Sequence, residues 1–205
     1  MQITSMSLSC EKYDVFPQVF TTLYSFPNMK PVRFQMFPAD FLNLPLRKDI
    51  LHRAVVYEAN SLRQGTACKK NRADVRGGLV HAPKPRDFST KLPRKVYYLA
   101  IRTALSARYK RGQVVVINHT FELPTHKTKA MVNVIKTYDW DHDSGGAVFV
   151  MYARRKNFIY STENLGKHCI IRNVKELSVK DLLMKERIVI ERKALEWLEK
   201  KTRIE

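Results

Sequence analysis

Apolar residues recur along this chain with two different periods, and the periods divide it into elements. Leu46, Ile50, Leu51, Ala54, Val55 and Leu62 follow the i, i+3, i+4 spacing of a helix with one buried face. Pro45 suits its first turn, so the pattern predicts a helix from Pro45 to about Arg63. Arg47, Lys48 and Arg53 lie largely off that face. Val96, Leu99, Ala100, Thr103, Ala104 and Ala107 give a second helix, Pro93 to about Lys110, a stripe of small residues suited to close packing. Gly112 is its natural stop. Beyond it the pattern alternates. Val114–Asn118 reads as a buried strand and Thr125–Thr137 as a helix with Ala130, Met131, Val134 and Ile135 inward. Ala147–Tyr152 is a second strand, a short helix follows near Ser161–Leu165, and His168–Arg172 is a third strand. Ser178 with Asp181 three residues on starts a helix through Met184. Arg187–Ile190 is a fourth strand, and Ala194, Leu195, Trp197 and Leu198 mark a terminal helix. Repeated strand–helix units with nearly continuous apolar strands predict an α/β fold, a mainly parallel sheet covered by helices on both faces.

Two stretches escape these periods. Residues 1–45 carry Pro17, Pro27, Pro31, Pro38 and Pro45, which break any long element. Phe20, Tyr24, Phe26, Phe34, Phe37 and Phe41 are expected to clip this segment onto the body, which makes it an N-terminal extension ahead of a single domain at 46–205. The second stretch is Arg63–Lys95, where ten residues are Lys or Arg and only Asp74 and Asp87 are acidic. Its large apolar residues, Val75, Leu79, Val80, Phe88 and Leu92, fit neither period. A segment that cannot bury itself and repels itself is ordered from outside, and dense positive charge names the partner as a polyanion.

The charge balance sharpens that reading. The 205 residues carry a formal net charge of +18 with an ordinary 44% hydrophobic content, which points to nucleic acid or an anionic membrane surface. No apolar run approaches the roughly 18 residues of a spanning helix. Residues 47–112 hold 17 basic side chains against four acidic ones, whereas residues 1–46 balance at three of each. The excess is therefore concentrated as a binding surface. Pro83, Pro85 and Pro93 lower the entropy of the arm before binding, and Gly65, Gly77 and Gly78 let its backbone approach a surface closely. Lys and Arg alternate with small residues, which allows repeated phosphate contacts along an extended path. A penetrating arm without a compact recognition helix favours folded RNA over duplex DNA.

Enzyme chemistry finds little support. Neither G-x-G-x-x-G nor G-x-x-x-x-G-K-[ST] occurs, and Gly145–Gly146 precedes a strand and reads as a turn. Asp139, Asp141, His142 and Asp143 read as a solvated acidic turn, and the remaining histidines lack ligand spacing. Cys10, Cys68 and Cys169 form no C-x-x-C pair, so zinc or a disulfide framework is not expected and the compartment reads as reducing. No cofactor, metal, membrane or small-molecule substrate is expected.

The words DILHRAVVYEANSLRQGT (Asp49–Thr66), KKNRADVRGG (Lys69–Gly78) and PKPRDFSTKLPRKVYYLAIRTALSARYKRGQVVVIN (Pro83–Asn118) resemble the universal large-subunit ribosomal protein four family, of bacterial and organellar type. Weaker echoes are ELPTHKTK (Glu122–Lys129), SVKDLLMKERIVI (Ser178–Ile190) and KALEWLE (Lys193–Glu199). The resemblance implies a structural, non-catalytic protein whose α/β body sits on large-subunit rRNA among other ribosomal proteins. It also implies a long loop that reaches the polypeptide exit tunnel. Carried over by position, Arg63, Gln64, Gly65, Thr66, Lys69, Lys70, Arg72 and Arg76 lie on the outgoing limb against RNA, with Gly77 and Gly78 flanking the tip. Lys84, Arg86, Asp87, Lys91, Arg94 and Lys95 lie on the returning limb, and Arg102 joins the RNA-facing set from the second helix. In the family a few dozen Gly-, Arg- and Lys-rich residues stand between the limbs; here Gly78 runs directly into Leu79-Val80-His81-Ala82-Pro83. The Pro- and Phe-rich start and Tyr57, Tyr97, Tyr98 and Tyr109 resemble a fungal mitochondrial version, with a bacterial cytoplasmic protein as the alternative. Two rivals stay open at this point: an RNA-modifying enzyme with a pocket at the carboxyl edge of the strands, and a non-ribosomal RNA-binding module.

Overall fold

Ala147, Val148, Phe149, Val150 and Met151 are all buried, so the strand they form has a covered face on either side. This is the physical signature of a parallel α/β sheet, and the rest of the chain is arranged around it. The computed structural model describes residues 17–66, 83–141, 143–166 and 168–203. The strands are β1 (Gln18–Ser25), β2 (Lys30–Pro38), β3 (Val114–Ile117), β4 (Ala147–Met151), β5 (Cys169–Asn173) and β6 (Arg187–Glu191). They form one sheet in the order β2–β1–β3–β6–β4–β5. Every pairing is parallel except β1 with β2, an antiparallel hairpin.

Helices α1 (Ala39–Leu42), α2 (Lys48–Ser61), α3 (Arg94–Lys110), α6 (Val179–Met184) and α7 (Arg192–Thr202) share one core with Val116, Val148, Val150, Ile188 and Ile190. Helices α4 (Thr128–Thr137) and α5 (Lys156–Thr162) share the other with Ile117, Phe149, Met151 and Val189. The alternation of strand residues between the two clusters is the period of two expected of a pleated sheet. Phe121 stacks on Phe158 with centroids 5.0 Å apart, and both meet Phe149 edge-on.

The four strands and the main helices fall where hydrophobic periodicity puts them. The hairpin does not. The prolines of residues 1–45 made that stretch read as irregular, yet β2 is the edge strand, where proline removes no ladder hydrogen bond that a neighbour needs. Pro31 pairs with Tyr24 across a register shift after Leu23. Phe37 and Phe41 are buried and Phe26 packs on Phe121, but Phe20 and Phe34 point to solvent at 61% and 73% exposure. Leu46 and Leu62, expected on the buried face of α2, lie beyond its ends and are exposed. Helix α5 starts earlier than expected and continues as a single tight turn, Glu163–Leu165.

One buried carboxylate ties three helices together. Glu58, in the last turn of α2, accepts from the Tyr97 hydroxyl of α3 at 2.7 Å and from the backbone N–H groups of Val179 and Lys180 at 2.7 and 2.9 Å. Those two N–H groups open α6 and have no intrahelical acceptor, so Glu58 satisfies them from another helix. Ser178 adds the local cap by accepting from the Asp181 N–H. Burial, then the bond to Glu58, pushes the Tyr97 phenol above the ordinary tyrosine range, so it remains a donor. Replacing Glu58 by Ala leaves these three donors unpaired. The E58A variant is expected to lose about 2–3 kcal/mol of stability in urea unfolding followed by circular dichroism.

Candidate nucleic-acid interface

Helix α2 ends at Ser61 and α3 begins at Arg94, so both limbs of the basic segment spring from the place where Glu58 joins the two helices. The limbs touch immediately beyond it. The Arg86 N–H donates to the Gly65 carbonyl at 3.0 Å, and a β-carbon at Gly65 would collide with the Arg86 carbonyl. Glycine is required here for close approach. Next along, the Arg63 and Arg86 guanidinium carbons lie 5.2 and 4.5 Å from the centroid of the Phe88 ring. Asp87 closes a small turn by accepting from the Ser89 N–H at 2.8 Å and its hydroxyl at 2.7 Å, and the hydroxyl bond first, then the N–H, holds its carboxyl below the usual range.

The returning limb then runs along α2. Thr90, Lys91 and Leu92 face His52, Arg53, Val56 and Tyr57 across a groove of about 270 Å³. Arg94 and Lys95 follow in the first turn of α3, which has no side-chain cap and no acidic residue. Two cations at a helix N-terminus oppose the macrodipole and weaken the helix. Uncapped N–H groups and positive side chains at a helix start are both suited to an anion.

The structure brings together Arg63, Gln64, Thr66, Lys84, Arg86, Lys91, Arg94 and Lys95 around this neck, and all eight are exposed. Lys69, Lys70, Arg72, Arg76, Gly77 and Gly78 lie outside the described residues. Arg102 stands apart, half-buried in a cavity of about 310 Å³ lined by Met36, Phe37, Asp40, Glu199 and Arg203 among others. Its Nη1 reaches the Asp40 carbonyl at 3.5 Å and burial lowers its pKa. Farther along α3 the basic residues serve the fold: Arg108 donates to the carbonyls of Leu182 and Leu183, and Lys110 to that of Leu44. Sequence reasoning left His52, Arg53 and Phe88 out of the site. For the first two the signal was present, since Arg53 falls off the buried face of α2; for Phe88 there was none.

At the carboxyl edge of β3 and β4 a cavity of about 300 Å³ lies between Phe121, Glu122 and Leu123 on one side and Arg155, Lys156 and Phe158 on the other. Beside it the buried Glu191 carboxylate accepts from the N–H of Phe121 at 3.0 Å and of Tyr152 at 2.7 Å, joining the connections that follow β3 and β4. Burial raises its pKa against the pull of those N–H groups. Its contribution to stability is therefore present below the ordinary glutamate range and falls as the pH rises through the elevated value. Elsewhere, burial pushes the Cys169 thiol up to about 11, which leaves it a core residue; Cys10 and Cys68 lie outside the described residues. In the acidic turn Asp141 pairs with His168, and His142 lies outside the described residues. Among the described residues no His/Cys/Asp/Glu group could hold a metal ion, and no helix is long and apolar enough to cross a membrane.

Comparison with known proteins converges on one family. The model of the ribosomal protein L4/L1 family matches residues 36–78 and 74–201. Large ribosomal subunit protein uL4m of Neurospora crassa is 34% identical over 90% of this chain and 71% of its own length. Large ribosomal subunit protein uL4 of Oceanobacillus iheyensis is 33% identical over 72% of this chain and 82% of its own, and that of Caldicellulosiruptor bescii 30% over 77% and 86%. The Neurospora alignment runs over 232 positions but takes in 90% of 205 residues, so about 47 positions of the relative have no counterpart here. The two pieces of the family match meet at residues 74–78, within the segment joining the limbs.

The contact at Gly65 is directly testable. Alanine there forces the limbs apart at an overpacking cost of about 1–3 kcal/mol, confined to the neck. The G65A variant should keep the circular dichroism of the α/β body while tryptic cleavage after Arg63 and Arg86 accelerates severalfold. Unchanged cleavage would show that the limbs are not held together there.

Proposed function

The chain belongs to the ribosomal protein L4/L1 family, and from that premise we infer that it is a structural, non-catalytic constituent of the large subunit of a mitochondrial ribosome. It binds large-subunit rRNA and sits among other large-subunit proteins. The observation that carries this reading is the match to the fungal mitochondrial relative over nine-tenths of the chain. The bacterial relatives cover less of it, which supports the organellar assignment over the bacterial one.

The limbs are the RNA-binding device of this reading. Arg63, Gln64, Thr66, Lys69, Lys70, Arg72 and Arg76 leave α2 along the rRNA, and Lys84, Arg86, Lys91, Arg94 and Lys95 return to α3, joined by His52 and Arg53 from the groove wall. Such contacts position the protein on the phosphate backbone by charge, and the shape of folded RNA supplies the selectivity. Arg102 lies away from this path, against the Asp40 carbonyl. The enzyme rival finds no support among the relatives, which are named large ribosomal subunit proteins. Gly77 and Gly78 flank the place where the two pieces of the family match meet, so the anchoring limbs carry this reading and the exit-tunnel role of family members does not.

Binding of the full chain to large-subunit rRNA is expected to weaken steeply with salt. Roughly ten neutralised phosphates give a log–log slope of about −7 to −9. Replacing Lys69, Lys70, Arg72 and Arg76 together by Ala should lower the magnitude of that slope by about 3 without changing the circular dichroism. A flat titration contradicts the electrostatic mechanism, and unfolding of the variant would assign those residues to the core.

A further inference from the structure

We propose that Arg63, Arg86 and Phe88 form a preorganised clamp for RNA phosphate at the neck of the loop, with Phe88 as the positioning residue that sets both guanidinium groups. The proposal rests on the rRNA-binding reading above and assigns a role that charge alone does not supply.

Three observations carry it. First, one ring holds two cations. With guanidinium carbons 5.2 and 4.5 Å from its centroid, the two charges are kept within about 10 Å of each other. Each contact is a cation–π attraction, and both cations draw on the same quadrupole. Second, among the described residues neither charge is spent on an ion pair. The adjacent Asp87 is engaged by Ser89 through both of its oxygens. The two exposed cations are thus brought together with neither tied up in an ion pair among the described residues, which leaves both guanidinium groups open to an anion. Third, the frame under the clamp is rigid at the one point that matters. The Arg86 N–H is bonded to the Gly65 carbonyl, which fixes the returning limb beside the outgoing one before any ligand arrives.

The chemistry suits phosphate. The planar guanidinium fork matches phosphate oxygens bidentately, and both arginines are exposed. A lysine ammonium would offer no such plane. The ring also removes rotamers that two long arginine side chains would otherwise lose on binding, so less affinity is spent on ordering them.

The test is filter binding of the full chain to a large-subunit rRNA fragment at one salt concentration. F88L keeps a comparable apolar volume and both charges but removes the ring, and it is expected to weaken binding about threefold to tenfold. F88W should restore wild-type affinity, because the indole is the better cation–π partner. In a protein already carrying R63A and R86A, F88L should add no further loss, since the ring acts through those two side chains. The proposal is overturned if F88L binds as tightly as the wild type. It is equally overturned if F88L costs the same in the R63A/R86A background, which would place the ring directly on a base or in ordinary packing. Failure of the wild-type chain to bind the fragment at all would remove the RNA reading itself, and the clamp with it.

Discussion

The carboxylate of Glu58 stands at the root of everything this protein offers to a partner. It sits in the last turn of α2, bonds the Tyr97 hydroxyl in the first turn of α3, and accepts the two N–H groups that open α6. Its geometry fixes where the basic segment leaves the body and where it returns. A chain with a net charge of +18 gains nothing from bringing Arg63, Lys84, Arg86, Lys91, Arg94 and Lys95 together at one neck. The helix pair forces that convergence, and Glu58 locks the pair. The second buried carboxylate, Glu191, does the corresponding work at the carboxyl edge of the sheet, where it joins the connections that follow β3 and β4.

Charge is distributed along α3 in a way that separates the two tasks. Arg108 and Lys110, near its C-terminus, bond carbonyls of other segments and agree with the helix dipole. Arg94 and Lys95, at its N-terminus, oppose the dipole and stay exposed. The same residue types stabilise the fold at one end and stay free of it at the other. The Gly65–Arg86 contact and the Phe88 ring extend that preparation into the limbs, so part of the ordering cost of RNA binding is met before RNA is present.

Much of the architecture was legible in the sequence because burial imposes periodicity. Strands β3 to β6 and helices α2, α3, α4 and α7 each show it, and the resulting parallel sheet with two covered faces follows. The hairpin was not legible, since Pro31 and Pro38 argue against a strand unless it is known to lie at a sheet edge. Leu46 and Leu62 extended the period of α2 past its ends by chance, since an apolar residue at the right spacing need not be buried. The interface divided in the same manner. Arg63, Arg86, Lys91, Arg94 and Lys95 declared themselves by charge density, and the limbs do converge. Phe88 gave no signal, because a single aromatic in a basic loop has no periodic context. Arg102 shared the charge of the site but faces another part of the molecule, which only the rotation of α3 decides.

Amide hydrogen exchange of the full chain, free and bound to large-subunit rRNA, tests the central claim most directly. The account holds that the body is already folded and that RNA orders only what it touches. Strands β3, β4 and β6 should be equally and strongly protected in both states, with new protection on binding confined to residues 63–95 and the adjoining face of α2. Weak protection of those strands in the free protein, or new protection centred on the carboxyl edge of the sheet, would contradict it.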